Sequence, residues 1–146
     1  MSEEMALEIR NKAGNYFKEG YNCAESIFLT FRELLAPDMD PSTVSLFTGF
    51  GGGLGESGCL CGALTGSVVA INILKGRTTN EAPRDEAYAL TKEFTDRFTD
   101  KYGVTCCRVL NRHPFESREH LVTCLKITGN TGKMLYEFLE EKGLLK

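Results

Sequence analysis

Apolar positions recur along this 146-residue chain with a helical period almost from end to end. Between Glu3 and Lys18, Met5, Ile9, Ala13, Tyr16 and Phe17 alternate with Glu3, Glu4, Arg10, Lys12 and Asn15, which predicts an amphipathic helix stopped at Gly20. Asn22 then stands as an N-cap with Glu25 three residues on, so Cys23 falls in the opening turn of a second helix. Ile27, Phe28, Phe31, Leu34 and Leu35 form its buried face, and Pro37 ends it because the residue before a proline is biased away from helical geometry. A short helix is expected from Pro41 and a third main helix from Gly58 to Lys75. In the latter, Gly62 and Gly66 share a face with Ala63, Ser67 and Ala70, a strip on which a neighbouring helix could pack closely. Ala87, Leu90, Phe94, Phe98 and Tyr102 mark the inner face of a fourth helix, Glu81 to Tyr102, with Gly103 as its stop.

After that stop, Thr105 is placed to cap a short helix with Cys106 and Cys107 in its first turn, and Ser117 to cap the last helix. Leu121, Cys124, Leu125, Thr128, Leu135, Phe138 and Leu139 keep one phase across Gly129 and Gly132. One long helix closed by Gly143 is therefore expected, despite about 1 kcal/mol lost at each interior glycine. The resulting fold class is all-α: a single-domain bundle of about five helices over residues 1–146, with a glycine-rich loop leading into a buried central helix.

The charge balance narrows the function. Seventeen basic and 20 acidic residues give a net charge of -3, with no basic block to track a phosphate backbone, so nucleic acid is not an expected partner. The longest uncharged apolar stretch, Cys59 to Leu74, falls short of the ~20 residues needed to cross a bilayer, so no membrane insertion is expected. The first ten residues lack the basic start and apolar run of a secretory signal, and the expected location is cytoplasmic. In that setting six cysteines point to metal or redox chemistry rather than to a disulfide framework.

The chemistry concentrates where T-G-F-G-G-G-L-G-E-S-G-C-L-C-G-A joins the loop to the central helix. Cysteines in a first helical turn meet unpaired N–H groups and the positive end of the helix dipole, both of which favour a thiolate. Gly53, Gly55 and Gly58 spell G-x-G-x-x-G, but the helix between the two candidate strands is too short for a dinucleotide-binding crossover. No lysine with an adjacent Ser or Thr follows the glycines, which excludes a Walker-type phosphate loop. Ser57 lacks a G-x-S-x-G context and a base. Glu56 and Ser57 are expected to cap the helix, and His113 and His120, the two histidines, to lie at the surface.

Cys23, Cys59, Cys61, Cys106, Cys107 and Cys124 show no C-x-x-C pair, so neither a zinc ribbon nor a ferredoxin run is matched. Instead N-C-A-E-S at Asn22 to Ser26, G-G-G-L-G at Gly51 to Gly55, C-G-A-L-T-G at Cys61 to Gly66, C-R-V-L at Cys107 to Leu110 and the later Cys124 resemble the redox-active family named for its C…GCAxxG…C…C pattern. The resemblance implies that its four cysteines fall on Cys23, Cys61, Cys107 and Cys124, with Cys59 and Cys106 as extras. It implies redox chemistry and no particular reaction.

Three functions remain open on this reading. Four thiolates could bind an iron–sulfur cluster or other thiophilic metal for electron transfer or redox sensing, with backbone N–H groups of Gly52, Gly53 and Gly55 near the sulfurs. Two of the same thiols could form a reversible disulfide, one attacking and one resolving, with no cofactor. A helical interaction module with buried cysteines is the third. Zinc held only for stability is less attractive in a domain with core enough of its own. A redox partner protein is expected in the first two cases, and the small-residue strip leaves room for a homodimer.

Overall fold

The computed structural model describes residues 2–145, and among these there is helix but no strand. Seven α-helices are present where about five are expected: α1 Ser2–Lys18, α2 Cys23–Leu35, α3 Gly51–Leu54, α4 Gly62–Lys75, α5 Asp85–Tyr102, α6 Cys107–Leu110 and α7 Arg118–Glu141, with a 3-10 segment at Pro41–Phe50. Five of them are long, and α3 and α6 are four-residue turns that carry no apolar period of their own. One buried cluster joins all five long helices, through Ile9 and Ala13 of α1, Ile27 and Phe31 of α2, Leu64 and Ile71 of α4, Phe94 and Phe98 of α5, and Leu135 and Leu139 of α7. No described helix is long and apolar enough to cross a membrane.

The small-residue strip of α4 is filled from within the chain. A Cβ on Gly62 would lie 2.2 Å from the Cys23 sulfur, and one on Gly66 would lie 3.0 Å from the Ala24 carbonyl oxygen and 3.1 Å from Ile27 Cβ. Contact therefore advances along both helices together, so α2 and α4 run parallel with their N-termini side by side. Along α7 the order is reversed: Leu125 meets Gly14, Gly129 meets Arg10, and Gly132 meets Ala13 and Ile9, which makes α1 and α7 antiparallel. Gly129 lets the α1 backbone approach, with the Arg10 carbonyl oxygen 3.2 Å from where its Cβ would sit, while Gly132 faces side chains of Ala13, Ile27 and Ile9 at ordinary contact distance.

Several boundaries differ from the sequence expectation. Helix α4 begins at Gly62 rather than Gly58, because residues 59–61 pair in extended form with residues 105–107: Leu60 and Cys106 form an isolated antiparallel bridge, Cys61 N–H donates to the Thr105 carbonyl and Cys107 N–H to the Cys59 carbonyl. Cys59 is thus outside the helix, Cys61 is its N-cap, and neither Glu56 nor Ser57 caps it. Thr105 likewise does not cap α6; Cys106 holds that position without a side-chain bond. Helix α5 begins at Asp85 rather than Glu81, since Pro83 disfavours helical geometry at Ala82. Leu121 is 47% exposed, whereas His120, expected at the surface, is 7% exposed. Ser117 caps α7 as expected, accepting from His120 N–H.

Candidate thiol site

The start of α2 is held by a reciprocal cap. Asn22 Oδ1 accepts from Glu25 N–H and Glu25 Oε1 accepts from Asn22 N–H, both at 2.9 Å. The same pair ties the helix to the 3-10 segment: Asn22 Nδ2 donates to the Thr48 carbonyl at 2.9 Å, and Thr48 Oγ1 donates to Glu25 Oε2 at 2.7 Å. Cys23 is the first residue of the helix fixed in this way. Past the 3-10 segment the backbone enters a left-handed turn, with positive φ at Gly52, Gly53, Leu54, Gly55 and Glu56 in succession. Gly53 must lack a side chain, since a Cβ there would lie 2.6 Å from Cys59 N and 2.7 Å from Cys107 Cβ.

This framework brings Cys23, Cys61, Cys107 and Cys124 to one end of the bundle and leaves Cys59 and Cys106 exposed; all six are free thiols. Cys23 and Cys61 lie at the adjacent N-termini of the parallel helices α2 and α4, where both dipoles present their positive ends. Cys107 opens α6, and Cys124 reaches the site from the second turn of α7, its sulfur 4.0 Å from Thr128 Oγ1. Of the loop glycines, Gly52 turns its N–H to the Cys23 sulfur. Gly55 N–H bonds the Gly51 carbonyl instead, and Gly53 acts through the space it leaves.

One sulfur in the group takes the charge. A hydrogen bond from the Cys124 thiol holds Cys23 down to about 7; burial opposes this, and the N–H groups of Gly52, Ala24 and Cys23 itself add to it. Burial, reinforced by the Cys23 charge, pushes Cys61 up to about 12, against the pull of the Ala63 and Leu64 N–H groups. Cys124 is raised by its bond to Cys23, by burial and by the charges of Cys23 and Cys61. Cys107 is raised by burial and then by Cys23, with Arg108 working the other way. Cys23 is therefore the first of the four to ionise, while its neighbours keep their protons.

Cys23, Cys61 and Cys107 are all buried and Cys124 is half-buried, and a cleft reaches part of the group. A cleft of about 550 Å³ is lined by Cys23, Cys124, Gly52, His120, Phe115 and Lys18, among others, while Cys61 and Cys107 are not on its walls. His120 is held there by its Nδ1, 3.3 Å from the His113 carbonyl oxygen, and by Phe115, whose ring centre is 4.9 Å from its own. Sequence reasoning missed His120, yet a signal was present: it precedes Cys124 by four residues, one turn along the same helix face. Among the described residues, no three Cys, His, Asp or Glu side chains converge in the way a metal ion requires.

A family described as "Putative redox-active protein (C_GCAxxG_C_C)" matches residues 21–138. The chain belongs to this family. A relative from Archaeoglobus fulgidus, described as an uncharacterized protein, is 33% identical over 148 aligned positions, covering 95% of this chain and 98% of the relative. No solved structure matches significantly. In this family member the central box reads C-G-A-L-T-G, with glycine and cysteine transposed relative to the family's named pattern. Glycine is what fits at position 62, where a Cβ would lie 2.2 Å from the Cys23 sulfur.

Proposed function

We propose that this protein is a thiol–disulfide redox protein in which Cys23 is the attacking thiolate and Cys124 the resolving thiol. The observation that carries the reading is that Cys23, whose pKa is lowered, and Cys124, whose pKa is raised, are the two cysteines on the wall of one cleft. Cys23 Sγ bonds to one sulfur of a substrate disulfide, whose S–S bond breaks and whose departing thiolate takes up a proton. Cys124 then gives up its proton and attacks Cys23 Sγ, breaking the mixed disulfide and releasing the second substrate thiol. Two electrons pass from the cysteine pair to the substrate, and the protein is left with a Cys23–Cys124 disulfide. His120 lines the same cleft.

The test is to treat the reduced protein with a small excess of disulfide and map its bonds by mass spectrometry. Two thiols released per chain and a Cys23–Cys124 link are expected, and Cys124→Ala should halt at a mixed disulfide on Cys23. A link confined to the exposed Cys59 and Cys106, with Cys23 unmodified, would refute the reading.

A second reading is an iron–sulfur cluster on Cys23, Cys61, Cys107 and Cys124. It is favoured by the mutual repulsion of these buried thiols, since a cation among them would let all four ionise. Against it stands the lack of three converging ligands among the described residues. Anaerobic reconstitution with iron and sulfide decides: bound iron and a charge-transfer absorbance abolished by Cys61→Ser would support the cluster, and colourless protein would refute it.

A further inference from the structure

A second concavity runs along the seam between α1 and α7. It has a volume of about 520 Å³ and is lined by Arg10, Asn11, Gly14, Asn15, Lys18, Leu125, Lys126, Gly129 and Asn130. Arg10, Gly14 and Lys18 follow one another at four-residue steps on α1, and Lys126 and Asn130 do so on α7, so the lining is two helix faces turned toward each other. Its charged side chains are three cations, its amides are three asparagines, and no Asp or Glu is among its walls. This is a local reversal of sign on a chain of net charge -3. None of the three cations is in an ion pair among the described residues; Arg10 reaches only the amide oxygen of Asn11, at 3.4 Å.

The groove adjoins the thiol cleft. Lys18 and Leu125 line both, so a ligand with its sulfur at Cys23 would extend past Lys18 into a basic channel. Each concavity is of the size that holds a small molecule rather than a protein surface. Three cations together with amide donors suit a group with several anionic oxygens, and phosphate offers the most acceptors for its size.

We infer that the substrate is the disulfide of a phosphate-bearing small thiol, whose anionic part lies in the α1–α7 groove while its S–S bond meets Cys23. This rests on the thiol–disulfide reading and adds to it the class of substrate. In the transfer itself the substrate disulfide is the oxidant and the Cys23–Cys124 pair the reductant, with two substrate thiols as products.

The test compares coenzyme A disulfide, glutathione disulfide and cystamine, which carry phosphate, carboxylate and only positive charge respectively. Rates of thiol release from each are measured with the reduced wild-type protein and with Arg10→Gln/Lys126→Gln, whose changes lie outside the thiol cleft. Reduction of coenzyme A disulfide should be the fastest of the three at low salt. It should fall about ten-fold in the double variant and with rising ionic strength, while reduction of the dicationic cystamine does not fall and speeds up if the groove's cations reach it. Equal rates for the three disulfides, or equal loss for all of them, would overturn the inference and leave the redox reading standing. Calorimetry of coenzyme A disulfide with Cys23→Ser/Cys124→Ser protein reads the groove without chemistry, and about ten-fold weaker binding on adding the two glutamine changes is expected there. Groove-dependent binding with no thiol release in the wild type would refute the redox reading alone. Binding of acidic proteins but not of this disulfide would refute the substrate class.

Discussion

Replacing Cys124 by alanine tests the central electrostatic argument. The Cys23 thiol is held at about 7 against an ordinary 9.0, and the hydrogen bond from Cys124 is the largest cause. A shift of that size corresponds to about 3 kcal/mol in favour of the thiolate. A hydrogen bond to a charged group contributes about 1.5–3 kcal/mol, so its loss should move Cys23 up to between about 8 and about 9. At pH 7 the thiolate fraction then falls from about one half to below about one tenth. The rate of alkylation at a single pH is a poor readout, because a thiolate of higher pKa is intrinsically more nucleophilic and offsets part of the loss. The midpoint of the pH–rate curve is the right quantity, followed at Cys23 by peptide mapping after brief iodoacetamide exposure from pH 5 to 10. An upward shift of about one unit or more is expected. An unmoved midpoint would mean that the Gly52 and Ala24 N–H groups and the helix dipole hold the thiolate by themselves, and the pairing of Cys23 with Cys124 would lose its physical basis.

Two further outcomes are set by the same geometry. Gly62→Ala puts a methyl group on the Cys23 sulfur, so the side chain must leave its donors; the pH–rate midpoint should rise, and urea denaturation should show about 1–3 kcal/mol of overpacking, reduced by up to about 1 kcal/mol of helix propensity. The stability of the reduced protein should depend on pH in two senses. Cys23 is depressed on folding, so its contribution is complete above the unfolded thiol pKa and lost as pH falls through about 7; Cys61, raised to about 12, and Cys124 keep their protons in the folded state, so stability falls as pH rises above the unfolded value. Chemical denaturation should therefore give a maximum at about pH 8–9, and a monotonic curve from pH 6 to 10 would contradict the assigned charge state.

Much of the scaffold is legible in the sequence because it is set by local rules. The Asn22–Glu25 cap, the stop at Gly103, the Ser117 cap and the uninterrupted α7 each depend on residues within one or two turns, and each stands as read. The errors fall where distant segments compete for the backbone. Residues 59–61 satisfy a helix-start pattern, yet they pair with residues 105–107, a partner nothing local announces. His120 has the neighbours of a surface residue in sequence and becomes buried once Phe115 and the His113 carbonyl fold over it.

The sequence by itself determined an all-helical chain, the identity of the thiols and the glycines beside them, because periodicity, caps and residue type are properties of the chain. Which sulfur ionises, which thiol it bonds, and which two of six face a cleft were decided by tertiary structure alone. A thiol's pKa depends on burial and on donors a few ångströms away, and Gly52, Ala24 and Cys124 become neighbours of Cys23 in that sense only when α2, α4 and α7 meet at one end of the bundle.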